Sequence, residues 1–192
     1  MTFLEVLTRT CRRPNMLAVN QLSLKAQTCT DWQQTVVIDE VGRGIGWAQA
    51  NLAVVAAHLV GDYIWILDDD DECIRPSLVE ELKVIAVSAC AVPAYAENDP
   101  DVIMLRMDHG PLGVLPDDNY WNRPPAYGHI GASGYVVKRQ VWQAHANAWL
   151  GGCYHSDFDF INDVWSAGPA VYWHDVIASR IQRISEGVPE WL

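Results

Sequence analysis

The spacing of apolar and polar positions changes rhythm along the chain, and each change marks an element. Residues 3–8 read as a buried strand. Pro14 stands where a first helical residue is favoured, and Leu17, Gln21 and Leu24 follow at helical spacing. Residues 35–38 form a short β-branched run ending in Asp39 and Glu40. An Ala- and Val-rich stretch over residues 47–59 predicts a helix, and residues 63–67 predict another strand that runs into Asp68. Pro76 opens a third predicted helix, where Leu78, Leu82, Ile85, Ala86 and Ala89 form one apolar stripe. Strands alternating with helices predict parallel βαβ units.

The pattern changes after Pro93. Residues 102–107 predict a strand. Residues 109–134 then hold four Pro and five Gly among 26 positions, a long irregular stretch of the kind that is functional or hides short strands. Residues 135–137 predict a strand, 139–149 a helix, and 157–167 a helix with Phe158, Ile161 and Trp165 on one face. Residues 170–173 predict a last strand, and the tail from Ile177 gives no clear pattern. The whole reads as a single domain over residues 1–192, with a first half over 1–92 and a second over 93–192.

Composition narrows the function. The 192 residues are 50% apolar and carry 24 acids against 13 Lys and Arg, a net charge of −11. That hydrophobicity excludes intrinsic disorder, and the acidity argues against nucleic acid as a partner. No run of 18 apolar residues is present, so no transmembrane segment is expected. The first twenty residues lack the apolar stretch of a signal peptide. The cysteines (Cys11, Cys29, Cys73, Cys90, Cys153) are scattered and odd in number, which predicts reduced thiols in a cytoplasmic protein.

The most informative segment is Tyr63-Ile-Trp-Ile-Leu-Asp68-Asp69-Asp70-Asp71-Glu72, where a buried strand runs straight into five carboxylates. Ligands of open α/β sheets bind at the carboxyl ends of strands, and Asp39, Glu40 and Thr8 to Thr10 sit at neighbouring ends. Like charges at ~4 Å repel by about 1 kcal/mol in water and roughly 4 at an effective dielectric of 20. A divalent cation such as Mg²⁺ or Mn²⁺ would relieve that repulsion. On an extended exit Asp68 and Asp70 share one direction while Asp69 and Asp71 diverge.

These residues carry a resemblance. Ile66-Leu-Asp68-Asp-Asp70-Asp-Glu resembles the strand and DXD motif of GT-A glycosyltransferases, in particular family 2. Thr10-Cys-Arg12-Arg13-Pro14 is similar to that family's first-strand exit. Gln27-Thr28 and Asp31 to Glu40 resemble its second-strand run, and Gly46 to Gly61 with Asn51 its following helix. The resemblance implies an α/β GT-A fold, with a mostly parallel central sheet flanked by helices. It implies an inverting, metal-dependent glycosyltransferase using Mn²⁺ or Mg²⁺. The donor would be a nucleotide-diphospho-sugar, a UDP-sugar first, and the acceptor a carbohydrate or other hydroxyl compound. By matched position, Thr8, Arg12, Arg13, Asp39, Asn51, Asp68, Asp69 and Arg180 would serve the donor, with Asp39 at the nucleobase. Asp68 and Asp70 would form the metal pair. His174 or Gln182 stands where some relatives place a further ligand, and Arg183 with Arg180 could close over the diphosphate.

Inverting transfer also needs a base for the acceptor hydroxyl. Cys153-Tyr-His155-Ser156-Asp157-Phe-Asp159 resembles the family's base segment, with Asp157 in the base position and Asp159 as the alternative. The same residues also read as a helix cap, Ser156 and Asp159 being spaced like a capping box. Gly131 to Gly134 resembles the small-residue segment on the acceptor side, where Trp121, Tyr127 and Trp149 are candidate contacts. Gly42-Arg-Gly-Ile-Gly46 lacks the spacing of a dinucleotide loop, and an early acid pair followed by Thr, as phosphatases use, is missing. A non-catalytic nucleotide- or carbohydrate-binding module of the same fold is the alternative reading.

Overall fold

The computed structural model describes residues 2–88 and 99–182. Ala89, Cys90, Pro93 and Arg183, named above, lie outside them. The elements in order are β1 (Leu4–Thr10), α1 (Pro14–Lys25), β2 (Trp32–Ile38), α2 (Ile45–Val55), β3 (Tyr63–Ile66), β4 (Asp71–Cys73) and α3 (Leu78–Ser88). They continue with β5 (Val102–Asp108), β6 (Val114–Leu115), β7 (Tyr135–Lys138), α4 (Arg139–His145), α5 (Ser156–Ser166) and β8 (Val171–Ile181).

One sheet orders them β2-β1-β3-β7-β5-β8-β4, with β6 paired to β5. The first half forms the parallel ladders β1–β2 and β1–β3. The second half departs from the mostly parallel sheet that the resemblance implied. β7 pairs antiparallel with both β3 and β5, β6 with β5 and β4 with β8, while β5–β8 is parallel. The sheet is mixed because the chain reaches β7 by a long excursion and enters it from the opposite end.

Helices cover both faces, and the alternation within β3 shows how. Tyr63 and Trp65 point to a core shared with Leu24 of α1 and Leu78, Leu82 and Ile85 of α3. Ile64 and Ile66 point to the other core, with Leu52 of α2, Trp142 of α4 and Phe160, Ile161 and Val164 of α5. Ile161 of the expected α5 stripe is buried, but Phe160 and Val164 take the places of Phe158 and Trp165, which are half-buried.

Several boundaries move. Pro76 lies in the turn before α3 rather than opening it. The predicted helices over 47–59 and 139–149 each end in a 3-10 turn, at Ala56–His58 and Ala146–Gly151. The last strand runs on to Ile181, and Ser179, Arg180 and Ile181, which gave no clear pattern in the sequence, pair with β4. The Gly- and Pro-rich stretch contains β6 and two 3-10 turns. It wraps Arg106, whose guanidinium reaches Asp175 at 2.5 Å and the Pro116 carbonyl at 2.9 Å. Among the described residues no helix is long and apolar enough to cross a membrane.

Candidate active site

The carboxyl ends of β1, β2 and β3 open onto a cleft of about 550 Å³, within the range of small-molecule sites. The start of α2, the loop before α5 and the Gly128–Ala132 segment close it. Arg9, Arg13, Asp39, Asp68, Asp70, Asp71 and Asp157 line it together with Trp47, Tyr127, Tyr154 and His155. Of the residues singled out in the sequence, Arg13, Asp39, Asp68, Asp70 and Asp157 thus meet in one place, although Asp157 follows Asp68 by almost ninety residues.

The acidic exit is a tight turn rather than an extended segment, with the Asp71 N–H donating to the Asp68 carbonyl at 2.9 Å. Asn20 holds the turn through its amide, which donates to the carbonyls of Leu67, Asp68 and Asp71 at 3.2, 2.8 and 3.0 Å. Gln182 holds it from the other side, donating to the Asp69 carbonyl at 2.7 Å. Asp71 therefore faces the cleft alongside Asp68 and Asp70, while Asp69 turns inward. Asp69 is fully buried, accepts the Thr10 hydroxyl at 2.7 Å and is clamped by Arg13. Burial still pushes its carboxyl up to about 6, against the pull of Thr10 and Arg13. Burial, with Asp68 and Asp70 close by, pushes Asp71 well above the usual carboxylate range.

Arginines answer most of these charges. Arg9 chelates Asp68 through Nε, at 2.7 Å, and Nη2. Arg13 reaches Asp70 at 3.0 Å as well as Asp69, and Arg180 donates to Glu72 at 2.5 Å. The repulsion that a metal would relieve is thus partly relieved by the protein. Among the described residues no three His, Cys, Asp or Glu side chains gather as a metal cage. His174 lies away from the cleft, its Nε2 2.7 Å from Glu81 of α3. Asp70 is different: one of its oxygens meets Arg13, and its side chain is 44% exposed. A hard carboxylate oxygen of this kind suits an ion that takes its remaining ligands from phosphates and water.

Asp157, in the first turn of α5, is half-buried beside Arg9 and Asp68. Burial raises its carboxyl above the usual range, with Arg9 opposing and Asp68 reinforcing the shift. Tyr135 of β7, completely enclosed, donates its hydroxyl to the Asp157 carbonyl at 3.0 Å and ties the α5 start to the sheet. The capping box does not form: the Ser156 hydroxyl bonds Cys153, and Asp159 pairs with His155 at 2.8 Å.

The remaining residues singled out in the sequence are mostly committed to other partners. The Asp39 carboxylate lines the cleft but accepts the backbone N–H groups of Val41, Gly42, Arg43 and Gly44. These outweigh burial and hold it below the usual carboxylate range. Thr8 is buried and donates to the Leu67 carbonyl at 2.8 Å. Asn51 donates back along α2 to the Trp47 carbonyl at 2.8 Å. Arg12 bridges to the Glu40 and Val41 carbonyls at 3.0 and 3.2 Å. Trp149 is fully buried against Trp142 and Phe160, and Trp121 packs on Trp173 under Arg106. Tyr127 remains exposed at the cleft, edge-on to His155 and Phe158.

Arg9, Gln49 and Asn20 were not singled out in the sequence as builders of the site, and Gln182, named there as a possible metal ligand, instead holds the acidic turn through its amide. An arginine inside a strand that is buried along its whole length, next to the Thr8 and Thr10 already placed at the strand end, was the available signal for Arg9.

No family model and no curated protein matches the chain. Solved structures do share its fold. Residues 1–349 of TarS from S. aureus match with a TM-score of 0.69 at 11% identity, over 94% of this chain and 60% of that one. The same TarS fragment in complex with UDP-GlcNAc matches at 0.61 and 10%, over 97% and 60%. The mannosyltransferase PcManGT from Pyrobaculum calidifontis, in complex with GDP-Man and Mn²⁺, matches at 0.60 and 14%, over 98% and 57%. The chain spans about 60% of the length of the TarS fragment. At these identities the likeness is one of fold.

Proposed function

We propose that the cleft binds a nucleotide-diphospho-sugar and that the protein is a GT-A glycosyltransferase of the family 2 type, transferring the sugar with inversion to a hydroxyl acceptor. The observation that carries this reading is the meeting of Asp70 and Arg13 with Asp157 across one cleft at the strand ends. The shared fold with structures that hold UDP-GlcNAc, or GDP-Man and Mn²⁺, adds support. A UDP-sugar is the first donor to test, and a carbohydrate hydroxyl the first acceptor.

In this reading Arg13 and the strand-end loops orient the donor, and Asp157 accepts the proton of the attacking hydroxyl, its own carboxylate becoming neutral as the new bond forms. Holding both reactants in line supplies much of the rate. Asp70 would hold Mn²⁺ or Mg²⁺ together with the donor phosphates, and such an ion, when bound, stabilises the charge of the leaving diphosphate. The net charge of the cleft supports a cation there: Asp39, Asp68, Asp70 and Asp157 outnumber Arg9 and Arg13, so a diphosphate would otherwise meet repulsion. Cys11, Cys29, Cys73 and Cys153 are free thiols, which fits a reducing, cytoplasmic setting.

The test is release of nucleoside diphosphate from UDP- and GDP-sugars in the presence of Mn²⁺. Turnover that falls by about 10²-fold or more in Asp157→Asn, with nucleotide affinity retained, is the expected result. Nucleotide uptake without turnover on any donor identifies the binding module instead.

A further inference from the structure

Arg9 stands inside β1, only 9% exposed, on the floor of the cleft. Its Nε and Nη2 take both oxygens of Asp68. Its Nη1 is fixed by the buried Gln49 of α2 at 2.5 Å. A guanidinium fork engages the two oxygens of a carboxylate at once, and those are the oxygens a divalent ion would use. Asp69 is closed in the same manner by Arg13 and Thr10. Of the first three acids after β3, Asp70 alone shows an oxygen without a partner among the described residues.

We propose that Arg9 is a resident counter-ion that withholds Asp68 from metal, so that the cleft takes up a divalent ion only together with a nucleoside diphosphate, whose phosphate oxygens supply the ligands that Asp68 does not. Asp71, the fourth acid, is buried and engaged by Ser133, and the one carboxylate left open offers a bare Mn²⁺ or Mg²⁺ little more than water does, whereas one carboxylate with two phosphates is a common ligand set for such ions. Removing Arg9 changes two things in the same direction. It frees the pair of Asp68 oxygens next to Asp70, and it deletes a positive charge from a cleft already negative. The nucleotide half of this inference rests on the functional reading above. The Arg9 half does not.

The experiment follows the free-Mn²⁺ electron paramagnetic resonance signal during titration with protein, first without nucleotide and then with UDP or GDP. The wild-type protein is expected to bind Mn²⁺ alone weakly. Arg9→Met should bind it at least about tenfold more tightly, within the range by which supporting groups tune metal sites. Adding Asp68→Asn to Arg9→Met should return the affinity to the wild-type value. Arg9→Lys should fall between, because one ammonium covers a carboxylate less completely than a guanidinium fork. Tight wild-type binding of Mn²⁺ alone, or no gain in Arg9→Met and Arg9→Lys, overturns the proposal. Should circular dichroism show that Arg9→Met does not fold, the single Asp68→Asn variant decides: unchanged affinity for Mn²⁺ alone supports the lock, and a tenfold loss overturns it. Wild-type Mn²⁺ affinity that neither UDP nor GDP increases overturns the nucleotide half together with the functional reading, while the Arg9 comparison still decides the lock.

Discussion

Arg13→Met removes the cation that clamps Asp69, a carboxylate with no solvent exposure. The loss has a ceiling set by protonation. In the native protein burial lifts Asp69 to about 6, roughly 2 units above its unfolded value. Ionised at pH 7, it therefore costs the fold about 3 kcal/mol at about 1.4 kcal/mol per unit. Without Arg13 the carboxyl takes up a proton at pH 7 instead, and the cost stops near 4 kcal/mol, the roughly 3 units between pH 7 and the unfolded value. The charge part of the change is then about 1 kcal/mol at pH 7, together with up to about 1 kcal/mol for the exposed Asp70 pair. The sign follows from the raised value: Asp69 favours the folded state most below about pH 4, and that contribution is lost as pH rises through about 6. At pH 5 Asp69 is mostly protonated with or without Arg13, so the charge part vanishes there. Urea unfolding at pH 5 and pH 7 reads the difference. A midpoint gap between variant and wild type that widens by roughly 0.5 M at the higher pH is expected for m near 2 kcal/mol/M. A gap of equal size at both pH values would refute the reasoning.

Three further outcomes follow from the geometry. Gly46→Ala places a Cβ 2.9 Å from the Gly152 carbonyl oxygen; the backbone clash should cost about 1–3 kcal/mol by thermal unfolding and slow sugar release by shifting the loop before Asp157. Nucleoside diphosphate release should rise with pH through a value above the usual carboxylate range, since Asp157 must be ionised to accept a proton and burial raises it; a flat profile through the acid range would remove Asp157 from the role. Glu81, half-buried, is held at about 2 because Arg75, Ser77 and His174 outweigh burial. Its contribution should persist down to about pH 4.5 and fade below it, so Glu81→Gln should narrow its stability gap to the wild type between pH 4.5 and 2, measured by urea unfolding.

The first half of the fold was legible because β1 and β3 are buried throughout and α3 packs one apolar stripe against them. β3 is a continuous apolar run and β2 ends in Val36-Val-Ile38, and the order of strands and helices along the chain leaves few topologies. The second half hid its pairing. β7 is only four residues long and pairs antiparallel on both sides, which a run such as Tyr135-Val-Val-Lys138 does not announce. The strand ends could be located from the sequence, but the commitments of their side chains could not. Asp39 spends its carboxylate on four N–H groups of its own loop, and Asp68 spends its oxygens on Arg9, from a strand some sixty residues earlier. His174 looked like a strand-end ligand, yet β8 continues seven residues beyond it, which puts it against α3.

Asp70 is the proposed point at which a divalent ion joins this cleft to a nucleoside diphosphate. Calorimetric titration of UDP and GDP into the wild-type protein and Asp70→Ala, each in Mn²⁺ and in EDTA, tests it most directly. Saturable binding of at least one nucleotide by the wild type in Mn²⁺ is expected, lost both in EDTA and in Asp70→Ala. Equal affinity in Asp70→Ala, or no binding of either nucleotide in Mn²⁺, would contradict it.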